Sequence, residues 1–141
     1  MSNRLQLVPM TNRSTLVIGL RQTGKTTFLL DQAKENKDRK ILFVTKNVTD
    51  SKYIIRELQN PNVLALSYSD SLPNRISRLK FDLILADDVN YYKKPLCDLI
   101  TMFTMLLAND DSKMYLTLDH EIDAMYKGGS YVLSAFSFWD E

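Results

Sequence analysis

One stretch near the start of the chain, Gly19-Leu20-Arg21-Gln22-Thr23-Gly24-Lys25-Thr26, limits the possible folds more than any other. It satisfies, at every defined position, the spacing of Gly, four residues, Gly, Lys, then Ser or Thr. An apolar run, Thr15-Leu16-Val17-Ile18, precedes it, and Phe28, Leu29 and Leu30 follow in a segment with helical character. The local frame is strand, loop, helix. Glycines let such a loop wrap closely enough for successive N–H groups to converge on an anion, at a helix N-terminus whose partial positive charge favours it. On this spacing Lys25 is expected to bridge the β- and γ-phosphates of a nucleoside triphosphate, and Thr26 to offer its hydroxyl to Mg²⁺. Gly19, Leu20, Arg21, Gln22, Thr23, Gly24, Lys25, Thr26 and Thr27 together form the expected cradle.

Further strands are expected at 40–44, 62–66, 81–86, 114–118 and 131–136, each a short apolar run bounded by polar residues. Near-continuous apolarity, rather than in/out alternation, suits a parallel sheet covered on both faces. Helical segments are expected between them: 26–36; 50–59 with Asp50 or Ser51 as N-cap; 71–80; one starting at Pro95 with Leu96, Leu99, Ile100, Phe103, Leu106 and Leu107 on one stripe; and a short one over 120–127. No repeat or linker divides the 141 residues, so one domain spanning 1–141 is expected. Its class is a three-layer α/β fold with a mostly parallel sheet and ligands at the carboxyl ends of the strands.

The run Phe81-Asp82-Leu83-Ile84-Leu85-Ala86-Asp87-Asp88 ends an apolar strand in two carboxylates, which are costly at the edge of a dry core unless partnered. Hydrated Mg²⁺ is the expected partner, with Asp87 orienting the ion's water and Asp88 polarising the attacking water. Thr117, Asp119 and His120 close a later strand expected to lie beside that end, and any of them is a candidate to sense the γ-phosphate.

With these three elements placed, the chain resembles P-loop nucleoside triphosphatases with a RecA-like core, as in helicases and viral DNA-packaging motors. The local match is to the ATPase of phage terminase large subunits, which often carry Arg-Gln-x-Gly-Lys-Thr-Thr, here Arg21-Gln22-Thr23-Gly24-Lys25-Thr26-Thr27. That resemblance implies ATP hydrolysis with Mg²⁺, in DNA packaging or a helicase-like process. It implies that Arg21 contacts the phosphates or acts as an arginine finger in cis, and that Thr117 lies in the motif coupling hydrolysis to movement. The family carries Glu where Asp88 stands, and the shorter arm implies slower turnover, since a displacement of about 1 Å can cost ~10²-fold. A neighbouring copy or partner protein commonly supplies an arginine to such sites, and Arg75, Arg78, Lys80, Lys93 and Lys94 are candidates to cross that interface. A weaker similarity, through the acidic strand and Tyr91-Tyr92, is to thymidine kinases, which implies transfer to a nucleoside. A nucleotide-binding subunit with little hydrolysis is the third reading.

Composition narrows the remainder. A single cysteine, Cys97, excludes an internal disulfide, and a single histidine, His120, argues against a zinc cluster. Cys97 reads as a small core residue on an apolar helix. No apolar run approaches the ~20 residues that span a bilayer, and Met1-Ser2-Asn3-Arg4 opens no signal peptide, so a cytoplasmic protein without membrane partners is expected, in the host cytoplasm if viral. Residues 1–56 hold 11 Lys/Arg against 4 Asp/Glu, and residues 57–141 hold 7 against 13. The basic first half leaves room for DNA or RNA as a partner. No guanine-reading lysine precedes Asp119, which favours ATP.

Overall fold

The structure, a computed structural model, describes residues 5–19 and 24–119. The expected strand over 131–136 and helix over 120–127 lie outside them. Among the described residues six strands form one sheet: β1 Gln6–Pro9, β2 Ser14–Ile18, β3 Ile41–Thr45, β4 Val63–Ser67, β5 Leu83–Ala86 and β6 Lys113–Leu118. Their spatial order is β1-β2-β6-β5-β3-β4, parallel throughout except for the antiparallel β1. Among the described residues four α-helices accompany them, α1 Lys25–Glu35, α2 Val48–Leu58, the single turn α3 Leu72–Arg75, and α4 Leu96–Thr104, with a 3₁₀ turn at Val89–Tyr91.

Central β3 explains why its sequence lacks alternation: all five residues are buried because both faces are covered. Ile41 and Phe43 pack with Leu29, Leu30 and Ala33 of α1 and Ile54 of α2. Leu42 and Val44 join the opposite cluster with Leu72 and Ile76 near α3 and with Leu96, Leu99 and Phe103 of α4. The sheet thus carries helices on both faces, an arrangement compatible with three layers. Burying Leu99 and Phe103 stabilises the α4 face by about 1.5–3 kcal/mol each. Among the described residues no helix is long and apolar enough to cross a membrane.

Several boundaries differ from the sequence expectation for local reasons. The N-cap of α2 is Asn47, whose side chain accepts from the Asp50 N–H, while Ser51 is buried with its hydroxyl 2.6 Å from that of Thr45. Pro95 is the cap residue of α4, not its first turn, and Leu106 and Leu107 are buried just beyond the helix. The segment over 71–80 is helical only at α3. Beyond it the Leu79 N–H bonds to Ile76 O, a tighter i to i+3 turn that brings the chain round to Phe81. Phe81 itself forms only an isolated bridge to Leu107.

The consequence for function is directional. Because β2, β6, β5, β3 and β4 run parallel, the residues that follow them emerge at one edge: Gly19, Asp119, Asp87 with Asp88, Lys46 and Tyr68. Interstrand bonds persist to that edge, from Gly19 N–H to Leu118 O, Asp87 N–H to Val44 O and Tyr68 N–H to Thr45 O. Strand β6 lies between β2 and β5, so Thr117 is next to the acidic end, as expected.

Candidate functional site

Gly24 caps α1 in the left-handed region, with φ of 87°. A Cβ placed there would meet nothing within 4 Å, so the requirement for glycine is conformational rather than steric. Lys25 opens the helix, yet its side chain is buried: its ammonium donates to Gly19 O at 3.0 Å and pairs with Asp119 at 3.3 Å. Of the expected cradle, Gly19, Gly24, Lys25, Thr26 and Thr27 are described; Leu20, Arg21, Gln22 and Thr23 lie outside the described residues, as does His120.

Thr26 and Asp87, sixty-one residues apart in sequence, meet at 2.7 Å, the hydroxyl donating to Oδ2. The other carboxylate oxygen of Asp87 accepts from the buried Thr117 hydroxyl at 2.6 Å. Thr117 Oγ1 in turn accepts from the Asp88 N–H at 2.7 Å. One hydroxyl on β6 thereby orients both acidic residues after β5, which makes Thr117 a positioning residue in this geometry. Tyr92 adds a lock from below, its buried hydroxyl donating towards Asp87 O at 2.8 Å and Val44 O at 3.1 Å. Burial pushes the Tyr92 phenol well above its ordinary range, and the nearby Asp87 carboxylate adds to this, so it remains a donor.

Asp88 has φ of 56° and ψ of 51°, a left-handed conformation that aspartate tolerates better than longer side chains. This is a backbone reason for Asp where the sequence resemblance leads one to expect Glu. The Asp88 carboxylate accepts from Lys46 at 2.8 Å, and Lys46 also reaches Asp50 at 2.9 Å. Burial, then the charge of Asp87, push the Asp88 carboxyl up to about 6 against the pull of Lys46, and a hydrogen bond to Asp119 adds to the rise. Burial also opposes the charge on Asp119, but the hydrogen bond from Asp88 and the Lys25 ammonium outweigh it and hold that carboxyl below its usual range. Desolvation likewise works against the charge on Lys46, and its bonds to Asp88 and Asp50 more than offset it, raising the ammonium above its ordinary value. The result is a chain of contacts across the site: Lys25, Asp119, Asp88, Lys46, Asp50.

This chain has a measurable pH signature in the nucleotide-free protein. The folded state keeps a proton on Asp88 that the unfolded chain releases between about pH 4 and pH 6. Its contribution to stability is therefore present below that window and lost as pH rises through it. Asp88→Asn, which mimics the protonated form, is expected to melt a few degrees higher than the parent at about pH 7.5, with the gap closing towards pH 4. Thermal melts across that range check it. A gap that does not change with pH would refute the assignment.

A cavity of about 590 Å³ opens over these groups, lined by Gly24, Lys25, Thr26, Thr27, Lys46, Asp88, Tyr91 and Asp119. Sequence reasoning missed Lys46 for this site, whereas Tyr91, expected only through the thymidine-kinase similarity, lies on the cavity wall with the Lys46 ammonium 5.5 Å from its ring centroid. Asn90 is a second addition, its side-chain oxygen accepting from the Asp119 N–H at 3.1 Å. The signal for Lys46 was its place just past a central strand, where ligands of parallel α/β sheets gather. Arg75, Arg78, Lys80, Lys93 and Lys94 are all exposed and none lines the cavity. Cys97 is half-buried rather than a core residue, because it lies off the apolar stripe of α4. Compared with the models of known protein families and with curated proteins, the chain matches none of them.

Proposed function

We propose that this chain is a P-loop ATPase with a RecA-like core, which binds magnesium ATP in the cavity above α1 and hydrolyses it in a nucleic-acid-related process. The observation that carries this reading is the convergence of Thr26, Asp87 and Lys25 at the mouth of a left-handed glycine turn. Two hard oxygen donors from distant segments fit Mg²⁺, which takes few protein ligands and completes its shell with water and phosphate oxygens. Thr26 would hold the ion and Asp87 would orient its water; when bound, the ion neutralises charge on the phosphates. The order of β2, β6 and β5, with a strand between loop and acidic end, supports the RecA-like reading.

The remaining work falls to the chain itself. Lys25 and the N–H groups at the start of α1 bind phosphate oxygens, and the Lys25 ammonium exchanges its Asp119 carboxylate for them. Asp88, ionised at neutral pH yet with its carboxyl pushed up to about 6, suits a general base. It accepts the proton of a water whose oxygen forms a bond to the γ-phosphorus while the bond to the β-phosphate oxygen breaks. Thr117 and Tyr92 hold Asp87 and Asp88 in place.

A second reading, transfer of the γ-phosphate to a small hydroxyl-bearing acceptor, is favoured by the exposed Tyr91 ring on the cavity wall. One assay separates the readings: phosphate release from ATP alone, with DNA or RNA, and with a nucleoside mixture. Release stimulated by polynucleotide is the expected result. Consumption of nucleoside would instead establish the phosphotransferase, and tight ATP binding without release would establish a nucleotide-binding subunit. Enhancement with protein concentration would reveal the self-association or partner arginine that the exposed Arg75 and Arg78 would supply.

A further inference from the structure

We propose that Lys46 is a second phosphate-binding cation of this site, supplied from the end of β3, that engages the γ-phosphate from the side opposite Lys25. The inference rests on the nucleotide reading above and deepens it. Lys46 is the residue immediately after β3, and β3 is the parallel neighbour of the acidic strand β5. Its ammonium is therefore delivered to the same edge as Asp87 and Asp88, on the wall of the cavity that Lys25 and Thr26 also line.

The side chain is held there although about a third of it is exposed. Asp88 and Asp50 fix the ammonium at 2.8 and 2.9 Å, and the Tyr91 ring lies beneath it at 5.5 Å. An exposed lysine held by a single carboxylate gains little and pays in rotamer freedom. Two carboxylates and an aromatic face together make a preorganised cation. Across the cavity, Lys25 holds Asp119, and Asp119 and Asp88 line the same cavity. The two ammonium groups thus flank a pair of carboxyl groups, whose oxygens stand where anionic oxygens of a ligand would replace them.

That geometry gives Lys46 a selective task. A terminal phosphate entering between the lysines offers Lys46 a stronger anionic partner than half-buried Asp88, and Asp50, on the first turn of α2, keeps the side chain tethered at the rim. Transfer of Lys46 to the phosphate removes the cation from Asp88 and leaves that carboxylate to water. A diphosphate lacks the group that reaches this far. Lys46 therefore discriminates triphosphate from diphosphate and supplies, from within the chain, positive charge that such sites otherwise take from a neighbour.

Calorimetry of the full chain with magnesium ADP and with a magnesium complex of a non-hydrolysable ATP analogue tests this. Lys46→Met keeps an aliphatic side chain over Tyr91 and removes the ammonium with its bonds to Asp88 and Asp50. It is expected to weaken the analogue about tenfold or more, as for loss of a charge-assisted contact, while leaving ADP within about twofold. Lys46→Arg is expected to restore most of the difference, and a melting curve establishes that the Met variant is folded. Equal affinities for both ligands in parent and variant, or equal losses for both, would overturn the role of Lys46 while leaving the nucleotide site standing. Failure of the parent itself to bind either nucleotide would overturn both.

Discussion

Lys25→Ala is expected to weaken binding of a magnesium nucleoside triphosphate by about a hundredfold or more, on the order of 3 kcal/mol or above, and to abolish turnover. The cation that answers the phosphates is lost, and the neighbouring N–H groups of α1 cannot replace a charge-assisted contact. The sequence alone suggests that such a change spares the fold, since a ligand-facing lysine owes little to the core. The structure adds a cost. Lys25 is buried, and its removal leaves the Asp119 carboxylate, itself only 11% exposed, without that cation. Breaking a paired buried charge is destabilising, by up to about 3–5 kcal/mol when the partner stays charged and dry. Here Asp119 still accepts from Tyr91, which softens the loss to about 1–3 kcal/mol. The double variant Lys25→Met with Asp119→Asn separates the two effects. It removes both charges, so its melting temperature should return towards the parent's while nucleotide binding stays lost. A Lys25→Ala protein that binds magnesium ATP as tightly as the parent would show that the loop is not a phosphate cradle.

How much of this arrangement was legible beforehand depends on whether a residue's role is local. Strands β2, β3, β4 and β6, the helix that follows Gly24 and the acidic end of β5 could be read because spacing and apolarity are local properties. Strand β1 could not: Gln6, Leu7 and Pro9 are exposed, and Pro9 is acceptable only because the strand is at an edge. It exists through pairing with β2 across a turn held by Thr11, whose hydroxyl accepts from the Arg13 and Ser14 N–H groups. Lys46 is one of many cations in the basic first half, and its place just past a strand run, unlike that of the exposed Lys52, hints at the site without saying which groups it meets. What singles it out is the β3–β5 pairing, a contact between segments some forty residues apart. Asp88 was legible as a carboxylate at a strand end, but its left-handed backbone, which accounts for the short side chain, was not.

Asp87→Asn is the second change expected to have a large effect, and the hydrogen-bond directions around Asp87 say why so small a substitution should matter. Thr117 Oγ1 already accepts from the Asp88 N–H, so its own hydrogen must go to residue 87. In the variant the amide oxygen is drawn to Thr117, and the amide NH₂ is left facing Thr26. Thr26 then spends a lone pair accepting from that amide, where in the parent its hydroxyl donates to Asp87 and leaves its lone pairs for a cation. The charge of Asp87 is lost at the same time. Apparent magnesium affinity in the presence of ATP is expected to fall about 10–100-fold, as for other outer-shell ligands, with turnover falling at least as far. Nucleotide binding measured in EDTA should be nearly unchanged, because Lys25 and the α1 N–H groups are untouched. Titrating Mg²⁺ against ATP binding in parent and variant decides the matter. Unaltered magnesium dependence in the variant would reduce Asp87 to a structural cap on β5, bonded to two threonines for the sake of the fold alone.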